Sequence, residues 1–134
     1  MNRFLGLRLQ IPVSAIAAKC ATGLRRQDMG SLDKIAGLRE ILALDPKNSF
    51  ARYGVAMELA GRGETEEALK EFATLLSIDP DYTAGYFMAA QTLVSAGRTA
   101  EAIDRLRAGI GCAARSDNRH AQSEMQAMLE ELNR

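Results

Sequence analysis

From residue 31 onward, apolar side chains return every three or four positions in stretches separated by short polar turns. That is the spacing of one buried face on an α-helix. In "LDKIAGLREILAL" the residues Leu32, Ile35, Leu38, Ile41 and Leu42 make such a stripe, with Ser31 placed to cap its start. Asp45-Pro46 closes this helix. Proline biases the residue before it out of the helical region, has no N–H for the ladder, and its fixed φ suits the entry to a following helix. The next helix is expected to start near Asn48 or Ser49 and to run through "FARYGVAMELA" to Gly61-Arg62-Gly63, where glycine admits the left-handed conformation that ends a helix. Thr65 is placed to cap a third helix. Glu66 and Glu67 stand in its first turn, where carboxylates offset unpaired N–H groups, and "ALKEFATLLSI" carries it to Asp79-Pro80. Strand alternation is absent, so the pattern predicts an all-α chain.

The Asp-Pro stop at 45 and 46 returns at 79 and 80, 34 residues later. Laying residues 49–82 over 83–116 without gaps pairs Ala56 with Ala90, Leu59 with Leu93, Gly63 with Gly97, Thr65 with Thr99, Glu67 with Glu101 and Ala68 with Ala102. These matches fall at turns and at points of close helix approach, which is what a repeated antiparallel helix pair demands. At these positions the chain resembles the tetratricopeptide repeat family, a helix-turn-helix unit of 34 residues. The small residues Ala56, Ala68, Ala90 and Ala102, the large Leu59 and Leu93, and Tyr86, Phe72 and Pro80 stand where the family places such residues. The resemblance implies an α-solenoid of about five to six helices with right-handed superhelical stacking. It divides residues 29–134 into a half repeat (31–45), two full repeats (49–82 and 83–116) and a C-terminal capping helix (117–133). Departures are Arg52 where the family prefers an aromatic, Leu106 in place of an aromatic, and Ala113-Ala114 in place of the closing Asp-Pro. Arg52 leaves the N-terminal stacking surface thin, and Gly109 is expected to mark a close helix contact. In the capping helix, with Ser116 or Asp117 as its cap, Ala121, Met125, Met128, Leu129 and Leu132 share one face, as the end of a solenoid requires for a polar outside.

Composition narrows the function. Hydrophobic residues at 47% and charged residues at 25% are those of an ordinary folded domain. Lysine plus arginine equals aspartate plus glutamate at 17 each, which removes any long-range pull toward nucleic acid or an anionic membrane. The balance is uneven along the chain: residues 1–28 hold Arg3, Arg8, Lys19, Arg25 and Arg26 against Asp28, so the remainder is acidic by four charges. This stretch reads as a basic N-terminal extension, with a targeting segment as the less favoured reading because Arg8 and Gln10 interrupt its apolar run. No run approaches the roughly 18 apolar residues of a membrane span. A cytoplasmic protein is expected.

Catalytic chemistry finds no foothold. Cys20 and Cys112 are far apart and lack partners at ligand spacing, so reduced thiols are expected, with no metal and no cofactor. His120 is the only histidine, and no third group is placed to orient it against Cys112. There is no phosphate loop and no catalytic triad, and the acidic pairs fall at helix starts where capping explains them. The chain is expected not to be an enzyme.

In the family the first helix of each repeat lines the inner surface. The resemblance therefore assigns Phe50, Tyr53, Met57 and Ala60, then Ala84, Phe87, Gln91 and Val94, to that surface, with Gly54 and Met88 alongside. Lys, Arg and Asn, which clamp acidic peptide C-termini in some members, do not occur among these positions. A mostly apolar surface with aromatic anchors suits an apolar or amphipathic peptide of another protein, with Gln91 to fix its orientation. The alternative is a self-associating subunit, whose inner surface forms a homodimer interface or is covered by its own N-terminal arm.

Overall fold

The computed structural model describes residues 26–134, which form six helices and, among the described residues, no strand. They are α1 (Arg26–Leu44), α2 (Ser49–Gly61), α3 (Thr65–Ile78), α4 (Thr83–Ser95), α5 (Thr99–Arg115) and α6 (Arg119–Leu132). The chain divides into two compact units, Met1–Lys34 and Ile35–Arg134. Of the first, the described part is the opening of α1. The expected basic extension lies outside the described residues as far as residue 25, and with it Cys20, the targeting reading and the covering arm. Helix α1 begins at Arg26, so Ser31 falls inside it and does not cap it.

Within the second unit α2 packs on α3, α4 on α5, α5 on α6 and α3 on α4, while α2 and α6 each touch α4. The helices therefore lie in two rows, α2, α4 and α6 in one, with α3 and α5 in the other. Two apolar clusters fill the space between. The first gathers Ile35 and Leu42 of α1 with Ala51, Val55, Ala56, Leu59, Ala68, Phe72, Leu75 and Ala89. The second is built on Leu76, Tyr86, Leu93, Leu106 and Met125. Ile41, expected in the α1 stripe, is 45% exposed, and Leu44 is 91% exposed.

Three of the turns share one geometry. After α2, Gly63 takes φ +81° and the Glu64 N–H reaches back to the Leu59 carbonyl at 2.9 Å; after α4, Gly97 takes φ +78° and the Arg98 N–H reaches Leu93 at 2.9 Å. After α5, Asp117 takes φ +55° and the Asn118 N–H reaches Ala113 at 2.8 Å. Each six-residue loop-back satisfies a carbonyl that the helix end leaves free. Thr65 and Thr99 start helices but do not cap them, since Glu64 and Arg98 hold the cap positions without a side-chain bond. The side-chain caps are Asn48, whose Oδ1 accepts from the Ala51 N–H at 2.9 Å, and Asn118, not Ser116 or Asp117, whose Oδ1 accepts from Ala121 at 3.1 Å.

Arg52 is integrated more deeply than its polarity suggests. Its guanidinium donates to the Pro46 carbonyl at 3.1 Å, as the Tyr86 hydroxyl donates to the Pro80 carbonyl at 2.8 Å in the second repeat. Two unlike side chains thus tie the same turn. The arginine also binds Glu71 at 2.8 Å, both side chains being about 15% exposed, and its Nε is buried without a protein partner. The residue equivalent to Glu71 in the second repeat is Arg105.

Gly109 meets the expected close contact. A Cβ there would lie 2.5 Å from Met125 Sδ and 2.6 Å from Tyr86 Cβ, whereas one at Gly37 would meet nothing. In urea denaturation, Gly37→Ala should stabilise by about 0.5–1 kcal/mol through helix propensity. Gly109→Ala should destabilise by about 1–3 kcal/mol because the overpacking outweighs the same gain. Arg52→Tyr alone should cost about 1–2 kcal/mol, since Glu71 keeps only the 3.4 Å contact to Arg39. Arg52→Tyr with Glu71→Leu should recover most of that loss, and a double-mutant cycle reads the coupling directly.

Candidate functional site

Helices α2 and α4 run side by side, and their seam begins in an aromatic contact. The Tyr53 ring packs edge-on to Phe72 of α3, with centroids 6.4 Å apart, and lies 5.2 Å from the ring of Tyr82 at an interplanar angle of 40°. Tyr82 stands where the first repeat has the capping Asn48. It makes no cap hydrogen bond and contributes a ring to the seam instead.

One turn further along, the seam opens into a depression of about 450 Å³. Met57 and Ala60 of α2 line one side, Met88, Gln91 and Ser95 of α4 the other, and Gly61 and Gly63 close its end. Tyr53, Met57 and Ala60 on α2 thus advance in the same direction as Tyr82, Met88, Gln91 and Ser95. Thioethers suit such a place because they reshape easily around an apolar guest. Helix α4 has no charged residue in its whole length, and the arginine of α2 is held by Glu71.

The residues expected on this surface do not form one patch. Tyr53, Met57 and Met88 are half-buried against the first apolar cluster, while Phe87 and Val94 pack against the second. Phe50 is 74% exposed, and Gln91 and Ala84 are exposed. The depression joins Met57, Met88 and Gln91; Phe50, Phe87 and Val94 lie outside its lining. Sequence reasoning missed Tyr82 and Ser95. Tyr82 was visible as an aromatic next to the Asp-Pro stop, and Ser95 as the residue one helical turn beyond Gln91.

A second cavity, of about 280 Å³, lies among α3, α4 and α5, lined on its apolar side by Leu69, Phe72, Ala89 and Leu93. At its rim Arg98 holds Glu101, whose carboxyl is thereby lowered below its usual range, and Arg98 also binds Glu66 at 2.8 Å. The cavity lies where the two repeats meet and is more polar at its rim than the α2–α4 face. Among the described residues no cluster of metal-ligating side chains occurs, and no helix is long and apolar enough to cross a membrane. Cys112 is a buried free thiol, and the exposed His120 pairs with Glu124 at 3.2 Å.

The family model for the tetratricopeptide repeat matches residues 59–131, more than half of the chain. The chain belongs to the tetratricopeptide repeat family. A TPR repeat-containing protein of Pseudomonas aeruginosa is 29% identical over 100 residues, 75% of this chain and 95% of that protein. The tetratricopeptide repeat domain protein from Salinibacter ruber, solved by NMR, is 31% identical with a TM-score of 0.62, over 66% of this chain and 89% of its own. PcrH, crystallised in complex with the chaperone-binding region of PopD, shares the fold at a TM-score of 0.73 and 19% identity, over 90% of this chain and 92% of its own.

All three tyrosines of the chain carry a hydroxyl raised above its usual value near 10, and in each burial is the first cause. For Tyr82 the charges of Tyr53 and Asp79 add to it. Burial disfavours the anion, so the folded state binds these protons more tightly than the unfolded chain does. The associated stability is complete below pH 10 and is lost as pH rises through the folded-state values. Tyrosinate absorbance should accordingly appear at higher pH in native protein than in urea-unfolded protein, and the urea midpoint should fall above pH 10.

Proposed function

We propose that this tetratricopeptide repeat protein is a non-enzymatic scaffold that holds an apolar or amphipathic peptide of another protein along the α2–α4 seam. The observation that carries the reading is the seam itself: two methionines facing an open depression, an exposed Phe50 on the same helix as Met57, and an adjoining helix without charge. Such a surface gains affinity by burying apolar area, at about 25 cal/mol per Å², and orients its guest through the few neutral polar groups present, here Gln91 and Ser95. PcrH, which has the same fold, is itself known with a segment of another protein bound. The absence of lysine and arginine from α4 and from the open face of α2 argues against an acidic C-terminal tail as the guest. The protein is proposed to work in the cytoplasm and to need no cofactor.

A second reading is self-association, favoured by a specific observation: Ile41 and Leu44, 45 and 91% exposed, stand one turn apart at the end of α1. The two readings part on different residues. Phe50→Ser with Met88→Ser should leave the helical circular dichroism spectrum and the sedimentation coefficient unchanged, and should remove the proteins that the wild type retains from a native extract. If Leu44→Ser instead halves the mass of a dimeric wild type and the extract proteins are indifferent to Phe50 and Met88, the scaffold reading is wrong and the surface is an assembly contact.

A further inference from the structure

The two edges of the seam differ in charge. At the glycine edge the ions are engaged: Arg62 binds Glu64 at 2.9 Å, and Arg98 is held by Glu66 and Glu101. At the Asp-Pro edge Arg52, which donates to the Pro46 carbonyl, is paired with Glu71, but the remaining charges are not engaged in this way. Asp45 and Lys47, flanking Pro46, offset one another in sign within the α1–α2 turn. Asp81 shares the field around the Tyr86 hydroxyl with Arg105 and Arg115 of α5. Asp79 is different: one of its carboxylate oxygens accepts a 3.3 Å bond from the Asp81 N–H, its carbonyl accepts the Tyr82 N–H at 3.1 Å, and its carboxylate makes no ion pair with the described residues. Helix ends do not neutralise it. The C-terminus of α3 and the N-terminus of α4 meet at this turn, and their end charges, each about half a unit and opposite in sign, largely cancel. The whole region from residue 29 to the C-terminus is acidic by four charges.

The aromatic end of the seam therefore combines the rings of Tyr53 and Tyr82 with a carboxylate that has no ion-pair partner among the described residues. Ring faces are electron-rich and attract ammonium and guanidinium groups, and a nearby carboxylate adds to the same field. From Tyr53 to Met57 is four residues of α2, a rise of about 6 Å, the distance between side chains one turn apart on a partner helix or two residues apart on an extended one.

Resting on the scaffold reading above, we infer that the guest is a basic amphipathic peptide, with a Lys or Arg side chain seated at Tyr53, Tyr82 and Asp79 and an apolar side chain, one helical turn away, in the Met57–Met88 depression. Charge complementarity selects this guest over an acidic or uncharged one, and the selection weakens with salt because the groups are only partly buried.

The test uses the full chain and three fluorescein-labelled helical probes with a common leucine face, differing in one residue placed one turn from the central leucine: Lys, Gln or Glu. In fluorescence anisotropy the Lys probe should bind about five-fold more tightly than the Gln probe, and the Glu probe more weakly than either. Asp79→Asn should flatten that order while leaving the Gln probe's affinity within about two-fold, Tyr82→Leu should flatten it as well, and raised salt should compress it. Equal affinity for Lys and Gln probes, or a Lys preference untouched by Asp79→Asn, overturns the cationic subsite and leaves the apolar groove standing. Binding of all three probes that ignores Phe50→Ser with Met88→Ser, or no binding by any of them, overturns both the subsite and the groove.

Discussion

Close approach of helix backbones at alanine is the constraint on which the repeat region depends. Ala56 and Ala68 are fully buried in the first apolar cluster, and Ala90 and Ala102 in the second. A methyl group is the largest side chain these positions accept without pushing the helices apart, and protein interiors have no slack to absorb a larger one. With these contacts fixed, Phe72 and Leu106 fill the remaining space one repeat apart in the core. The surface left over on α2 and α4 is a consequence of that packing, because residues one step around each helix from a buried alanine must face away from its partner.

Much of this was legible in the chain. The repeat length, the helix boundaries at both Asp-Pro pairs, and the left-handed Gly63 and Gly97 follow from local chemistry that acts in the same way wherever the sequence places it. What escaped was set by distant partners. Thr65 and Thr99 look like caps, yet the loop-back hydrogen bonds from Glu64 and Arg98 already organise those turns. Ser31 looks like a helix start, yet α1 runs through it from Arg26. Neither a cap nor its redundancy can be told from residue type alone, since both use the same side chains.

The candidate surface was legible in part. Met57, Met88 and Gln91 line one depression, because equivalent faces of parallel helices adjoin whenever the repeats stack. Phe87 and Val94 join the second cluster, whose extent depends on how α6 lies, and spacing alone does not reveal that. Tyr82 was hidden for the opposite reason. It sits at a helix cap, where sequence patterns look for hydrogen-bonding residues, and it supplies a ring to Tyr53.

Arg52 and Tyr86 tie equivalent turns to their prolines, but each demands a different companion: a carboxylate at 71 in one case, and Arg105 beside the phenol in the other. The two hairpins are therefore not interchangeable modules. Transplanting α2 into the position of α4 would set its guanidinium beside Arg105 and Arg115, with Asp81 in that field and no counterpart of Glu71. The order of units along this array is written in ionic pairing at a single site, and duplication or shuffling of either hairpin would have to carry both partners together.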